Sequence, residues 1–128
     1  ALDRILSNLA NNAIFAMKET GGTLTFGLER EEIKRKITLP FPDAIEKGGY
    51  AKFTIADTGS GMDSNTLERI FSPFFTTKSP GEGLGLGLSS ALRLLKDGNG
   101  RFTVTTTLGK GTKFNLYWNL ANEKTEDA

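Results

Sequence analysis

Residues 51–62, Ala-Lys-Phe-Thr-Ile-Ala-Asp-Thr-Gly-Ser-Gly-Met, read as a strand that runs straight into a turn. Ala51, Phe53, Ile55 and Asp57 fall on every second position, and a strand places such a set on one face. That parity carries Asp57 to the core side, where a lone carboxylate is costly unless donors meet it: a ligand amine, a hydroxyl or water. Gly59 and Gly61 bring no side chain, so another group can approach the backbone closely there. Taken alone, the motif reads equally as a plain Asp-capped turn feeding a helix from about Asp63.

Upstream, Thr23 to Glu29 is a second alternating segment, with Leu24, Phe26 and Leu28 on one side. A charged run begins at Arg30, and Pro40, Pro42 and Gly48-Gly49 make residues 31–49 a long exposed excursion between the two strands. Before these strands, Leu2, Ile5, Leu6, Leu9, Ala13, Ala16 and Met17 recur at helical spacing, and Gly21-Gly22 closes the run. The chain thus opens inside a helix, as expected of a domain cut from a longer protein.

Downstream, Leu67, Ile70 and Phe71 mark a short helix, and Ser72 to Gly87 is a proline- and glycine-rich loop. Leu88, Ala91, Leu92 and Leu95 mark a longer helix ended by Gly98-Asn99-Gly100. Phe102 to Leu108 and Thr112 to Leu120 are strands joined through Gly109-Lys110-Gly111, and residues 121–128 form a polar tail. Helix, two strands, helix, loop, helix, two strands describe an α/β (α+β) two-layer sandwich with helices over one face of the sheet. One domain over residues 1–120 is expected.

The composition removes several chemistries. The 128 residues include no cysteine and no histidine, so no disulfide, Cys/His zinc site, Cys nucleophile or His base can be built. Sixteen Lys+Arg against fifteen Asp+Glu leave a net charge of +1, which offers no basic field for a nucleic-acid backbone. No apolar run is long enough to cross a bilayer, and a cytoplasmic setting is expected.

Three further clusters carry chemistry. Asn8, Asn11 and Asn12 stand in mid-helix, where Asn is a poor former, and share a sector with Phe15 beside the apolar stripe. Asn12 lies nearest that stripe and should be half-buried; its amide oxygen is a hard neutral donor suited to Mg²⁺ shared with phosphates. A solvated polar face is the competing reading. Gly81-Glu82-Gly83-Leu84-Gly85-Leu86-Gly87-Leu88 leads into a helix, so unpaired N–H groups and the positive dipole end can attract phosphate. A flexible linker would leave the alternating leucines unexplained. Gly109-Lys110-Gly111-Thr112 is, in isolation, an ordinary hairpin turn.

Together, in this order, the clusters resemble the ATP-binding catalytic domain of sensor histidine kinases, within the wider group of gyrase-type and heat-shock chaperone ATPases. Asn8 to Ala13 looks like the N box, Asp57 to Met62 the first glycine box, and Phe71 to Lys78 the F box. Gly81 to Leu88 resembles the second glycine box and Gly109 to Thr112 the last. The resemblance spans Leu2 to about Leu120. It implies a mixed, mostly antiparallel sheet under about three helices, with ATP held beneath a flexible lid.

Carried over residue by residue, the resemblance has Asp57 accept from the adenine amino group, with Gly59 and Gly61 beside it and Thr112 near the base. Asn12 supplies an oxygen to Mg²⁺, and Asn8 lies near the phosphates. Gly83, Leu84, Gly85, Leu86, Gly87 and Leu88 line the phosphates from the lid, and Lys78 is the candidate lid cation. Many relatives carry a basic residue and then an aromatic after the N box, where this chain has Phe15 and Ala16, and the resemblance also implies a first strand before the N-box helix that this sequence lacks.

Asn8 selects among subclasses. Relatives that hydrolyse ATP or phosphorylate a hydroxyl place Glu there as general base, because water and hydroxyls must lose a proton to attack. A neutral imidazole has a free lone pair already, so Asn8 favours transfer to histidine. The acceptor must lie outside a chain with no histidine, in a dimerisation domain of a homodimeric parent, with a response regulator receiver domain as the next partner; the fragment itself is expected to be monomeric. An ATPase driving conformational change and a regulatory nucleotide-binding module are the competing readings.

Overall fold

The computed structural model describes residues 2–19, 21–38, 44–69 and 87–120. In chain order the elements are α1 (Leu2–Ala16), β1 (Leu24–Ile33), β2 (Gly48–Asp57), α2 (Ser64–Arg69), α3 (Gly87–Asp97), β3 (Arg101–Thr107) and β4 (Gly111–Asn119). The four strands form one sheet in the order β1-β2-β4-β3.

Every strand pair among the described residues is antiparallel, in keeping with the mostly antiparallel sheet that the family resemblance implies. The crossover through α2 and α3 returns β3 parallel to β2. The β3–β4 hairpin then lays β4 between them, so no two parallel strands are neighbours.

One face of this sheet meets the helices. Ile5, Leu9 and Ala13 recur every four residues along α1 and are buried to 2% exposure or less. With Ala91, Leu92 and Leu95 of α3, Ile5 and Leu9 close over Ile55, Phe114, Leu116, Phe102 and Val104. Local chemistry sets the helix ends. Asp63 caps α2 by accepting from the Thr66 N–H at 2.8 Å. At the end of α3, Asn99 takes φ of 66° and the Gly100 N–H donates to the Leu95 carbonyl at 2.8 Å.

The expected excursion at residues 31–49 is shorter than its charge implies, because both of its ends belong to strands. β1 continues through the charged run to Ile33, pairing with β2 down to Gly48. Ile33 and Ile45 are buried with Tyr50 and Tyr117 in a second small core on the sheet's other face, and Ile37 pairs with Ile45 across a single bridge. The two tyrosine rings meet edge to face at 5.8 Å. Ile33 finds this partner set only because β1 is in register with β2.

Candidate active site

The helix-covered face of the sheet ends in a row of polar side chains. Register sets Asp57 opposite Thr112, and Thr112 opposite Thr106, one step beyond the buried row Ile55–Phe114–Val104. The strand parity read from residues 51–57 therefore holds, and Asp57 shares the face of Ile55 and Phe53. Asp57 is half-buried and Thr112 buried.

Asp57 Oδ1 accepts the Gly59 N–H at 2.8 Å, the Asx turn that the sequence allows. That bond uses one of roughly four lone-pair positions on a carboxylate, so acceptor capacity remains for a ligand donor. Thr106 Oγ1 accepts the Met62 N–H at 2.9 Å, donates to the Gly111 carbonyl at 3.1 Å, and stands 2.9 Å from Thr112 Oγ1.

The glycines of the turn serve close packing of the chain upon itself. A Cβ on Gly59 would stand 2.6 Å from the Ala16 carbonyl oxygen, and Gly61, with φ of 67°, lies against the Thr107 carbonyl. The Ser60 N–H donates to the Ala16 carbonyl at 3.1 Å, and the Gly109 N–H to the Ser60 carbonyl at 2.7 Å. Three segments distant in sequence thus meet: the end of α1, the turn after β2, and the β3–β4 hairpin.

The junction fixes the C-terminal end of α1, at Ala16, against the turn after β2, and Asn12 precedes Ala16 by one helical turn. Asn8 and Asn12 are half-buried beside Leu9 and Ala13, while Asn11 is exposed. Lys18 Nζ sits 5.1 Å from the centre of the Phe15 ring, so a cation follows the aromatic residue at this end of α1. Gly87 and Leu88 open α3. Lys78, Gly83, Leu84, Gly85 and Leu86 lie outside the described residues.

Among the described residues no three His, Cys, Asp or Glu side chains converge as a metal cage. Half-buried amide oxygens on α1 suit a Mg²⁺ ion that keeps waters and arrives on a phosphate, because that ion needs few protein ligands. An open hollow of about 220 Å³ straddles the end of the sheet. It takes Asp57, Thr106 and Thr112 from one row, and Ala56, Lys113 and Thr105 from the row behind.

Thr106 is the site residue that sequence reasoning missed. Its signal lay in the hairpin: counting outward from Gly109-Lys110-Gly111 pairs Thr106 with Thr112.

Residues 1–122 match the family of histidine kinase-, DNA gyrase B- and HSP90-like ATPases. The sensor kinase CckA of Brucella abortus is 37% identical over 98% of this chain and 13% of its own length. Sporulation kinase C of Bacillus subtilis is 32% identical over 93% of the chain and 30% of its own. The chain thus spans less than a third of these relatives. Among solved structures, full-length ShkA in complex with AMPPNP is similar with a TM-score of 0.63 and 31% identity, over 91% of this chain and 20% of that one. The mycobacterial sensor histidine kinase MprB shares the fold, with a TM-score of 0.62 at 22% identity over 89% of this chain and 66% of that one.

The chain belongs to the histidine kinase-, DNA gyrase B- and HSP90-like ATPase family. Within that family its relatives are sensor kinases, and the domain is the catalytic ATP-binding module of histidine kinases.

Proposed function

We propose that this domain binds Mg–ATP and passes the γ-phosphoryl group to a histidine on a separate dimerisation domain of its parent, for relay to a response regulator receiver domain. The observation that carries the reading is the half-buried polar face of α1, which offers Asn8 and Asn12 and no carboxylate; Asp3 of that helix is exposed. An amide cannot take a proton from water, so the site suits a nucleophile that needs no base. The complex of ShkA with AMPPNP, an ATP analogue, supports an adenine triphosphate as the ligand.

In this reading Asp57 accepts from the adenine amino group, and Thr112 lies beside it on the pocket floor. Gly59 and Gly61 hold the turn that carries Asp57. The start of α3, at Gly87 and Leu88, turns backbone N–H groups and a positive dipole end toward phosphate. Asn12 lends an oxygen to Mg²⁺, with Asn8 one turn away near the phosphates. The metal, when bound, neutralises charge on the triphosphate oxygens. The lone-pair nitrogen of the neutral imidazole would form the new P–N bond as the bond to ADP breaks, and the proton on the other ring nitrogen would then leave to solvent.

The test supplies the histidine-bearing helical segment of the parent in trans with γ-labelled ATP. An acid-labile, base-stable adduct on that segment is expected, with no label on this chain and very slow hydrolysis by the chain alone. Brisk hydrolysis by the isolated chain would overturn the assignment of Asn8. Nucleotide binding without transfer would favour a regulatory module.

A further inference from the structure

The Thr106 hydroxyl has one hydrogen and two lone pairs, and three partners surround it. The Met62 N–H, 2.9 Å away, can only donate and so takes one lone pair. The Gly111 carbonyl, 3.1 Å away, can only accept and so takes the hydrogen. One lone pair remains for Thr112 Oγ1 at 2.9 Å, and the hydrogen of Thr112 fills it. With its hydrogen committed inward, Thr112 has only lone pairs to turn toward a ligand.

We infer that Thr106 is a positioning residue that sets the donor–acceptor pattern of the pocket: it makes Thr112 a second acceptor beside the Asp57 carboxylate, and thereby selects a base bearing an exocyclic amino group over one bearing a carbonyl. Asp57 and Thr112 are register partners on one face, which sets their Cβ atoms about 4.5–5.5 Å apart. Both flank the same end of the sheet, and Thr112 is only 7% exposed, so little water competes for it. An amino group has two hydrogens to offer two acceptors. A carbonyl oxygen in its place meets two acceptors and no hydrogen, which leaves polar atoms unpaired. The inference rests on the ATP reading above and goes beyond it in naming a residue that acts through Thr112.

The experiment measures, by calorimetry on the whole chain, the affinities for ATP and for ITP, which carries a carbonyl in place of the amino group. The readout is their ratio. Thr106→Val and Thr106→Ala should lower the ATP preference about tenfold, the effect of one mispaired hydrogen bond. Thr106→Ser should keep the wild-type ratio. The Ser and Ala variants differ by one oxygen, so the comparison stands if Val does not fold. Thr112→Val should lower the ratio as Thr106→Ala does, and combining the two should lower it no further. Equal weakening of both nucleotides by Thr106→Ala, with the ratio intact, would show a purely structural role and overturn the inference. A wild-type chain that binds neither nucleotide would instead overturn the ATP reading, and this inference with it.

Discussion

Gly111 holds φ at 130° with the Asp57 carbonyl in the space that its own Cβ would fill. The first residue of β4 thereby presses against the backbone that carries the site's carboxylate. Two residues earlier, Gly109 has φ of 81°, and a Cβ there would meet nothing within 4 Å. These two glycines of one turn therefore do different work.

Gly109→Ala should cost about 1–2 kcal/mol of stability, the strain of a left-handed residue, and leave nucleotide affinity unchanged. Gly111→Ala should cost more, because backbone must also move, and should weaken ATP binding by displacing Asp57. Denaturant unfolding and calorimetry on both variants check this. Equal losses of affinity in the two would sink the distinction.

Asp57→Asn puts a donor where an amino group needs an acceptor, and should weaken ATP binding by about 1–3 kcal/mol, the scale of a mispaired buried group. Binding of GTP, which lacks the amino group at that position, should be weak in the wild type and change little. GTP bound as tightly as ATP would remove Asp57 from the role of base reader.

Asn12→Ala should abolish phosphoryl transfer to the supplied histidine segment, through loss of an oxygen for Mg²⁺. Asn8→Ala should reduce transfer without creating an ATPase, since no carboxylate is introduced to activate water. Labelled transfer assays with both variants, alongside hydrolysis assays, separate these outcomes.

The far face of the sheet predicts an alkaline limit to stability. Burial raises the phenol pKa values of Tyr50 and Tyr117 above 10.0. Burial alone would lower the Lys52 ammonium, but the hydrogen bond to Glu31 at 3.0 Å and the charges of Tyr117, Glu31 and Glu29 raise it above 10.5. All three groups hold their protons to higher pH in the folded chain than in the unfolded one. The stability they contribute is complete below those ordinary values and is lost as pH rises through the folded ones. Denaturation midpoints should hold steady up to about pH 9 and decline toward about pH 11, and Tyr117→Phe should flatten the decline. A midpoint that rises over that range would contradict the assignment.

Much of this molecule follows from local sequence alone. The four-residue recurrence of Ile5, Leu9 and Ala13 made α1 amphipathic, and the two-residue alternation through Phe53 and Ile55 sent Asp57 to the helix-covered face. Both are periodicities of the backbone itself, so no knowledge of neighbours is needed to read them. The asparagines of α1 were legible for the same reason: their sector follows from spacing.

Other features were settled only by which segments became neighbours. The charge of Glu31 and Glu32 hid the continuation of β1, because what keeps Ile33 in a strand is its pairing with Gly48 and its burial with Ile45 and Tyr117. Gly59 and Gly61 were visible as residues without side chains, but the groups that need that space, the carbonyls of Ala16 and Thr107, lie more than 40 residues away in the chain. Thr106 looked like one threonine among several in β3 until hairpin register set it against Thr112 and Met62. A sequence specifies its own periodicity locally, whereas hydrogen-bond partners and close contacts belong to pairs of segments, and only the tertiary fold chooses the pairs.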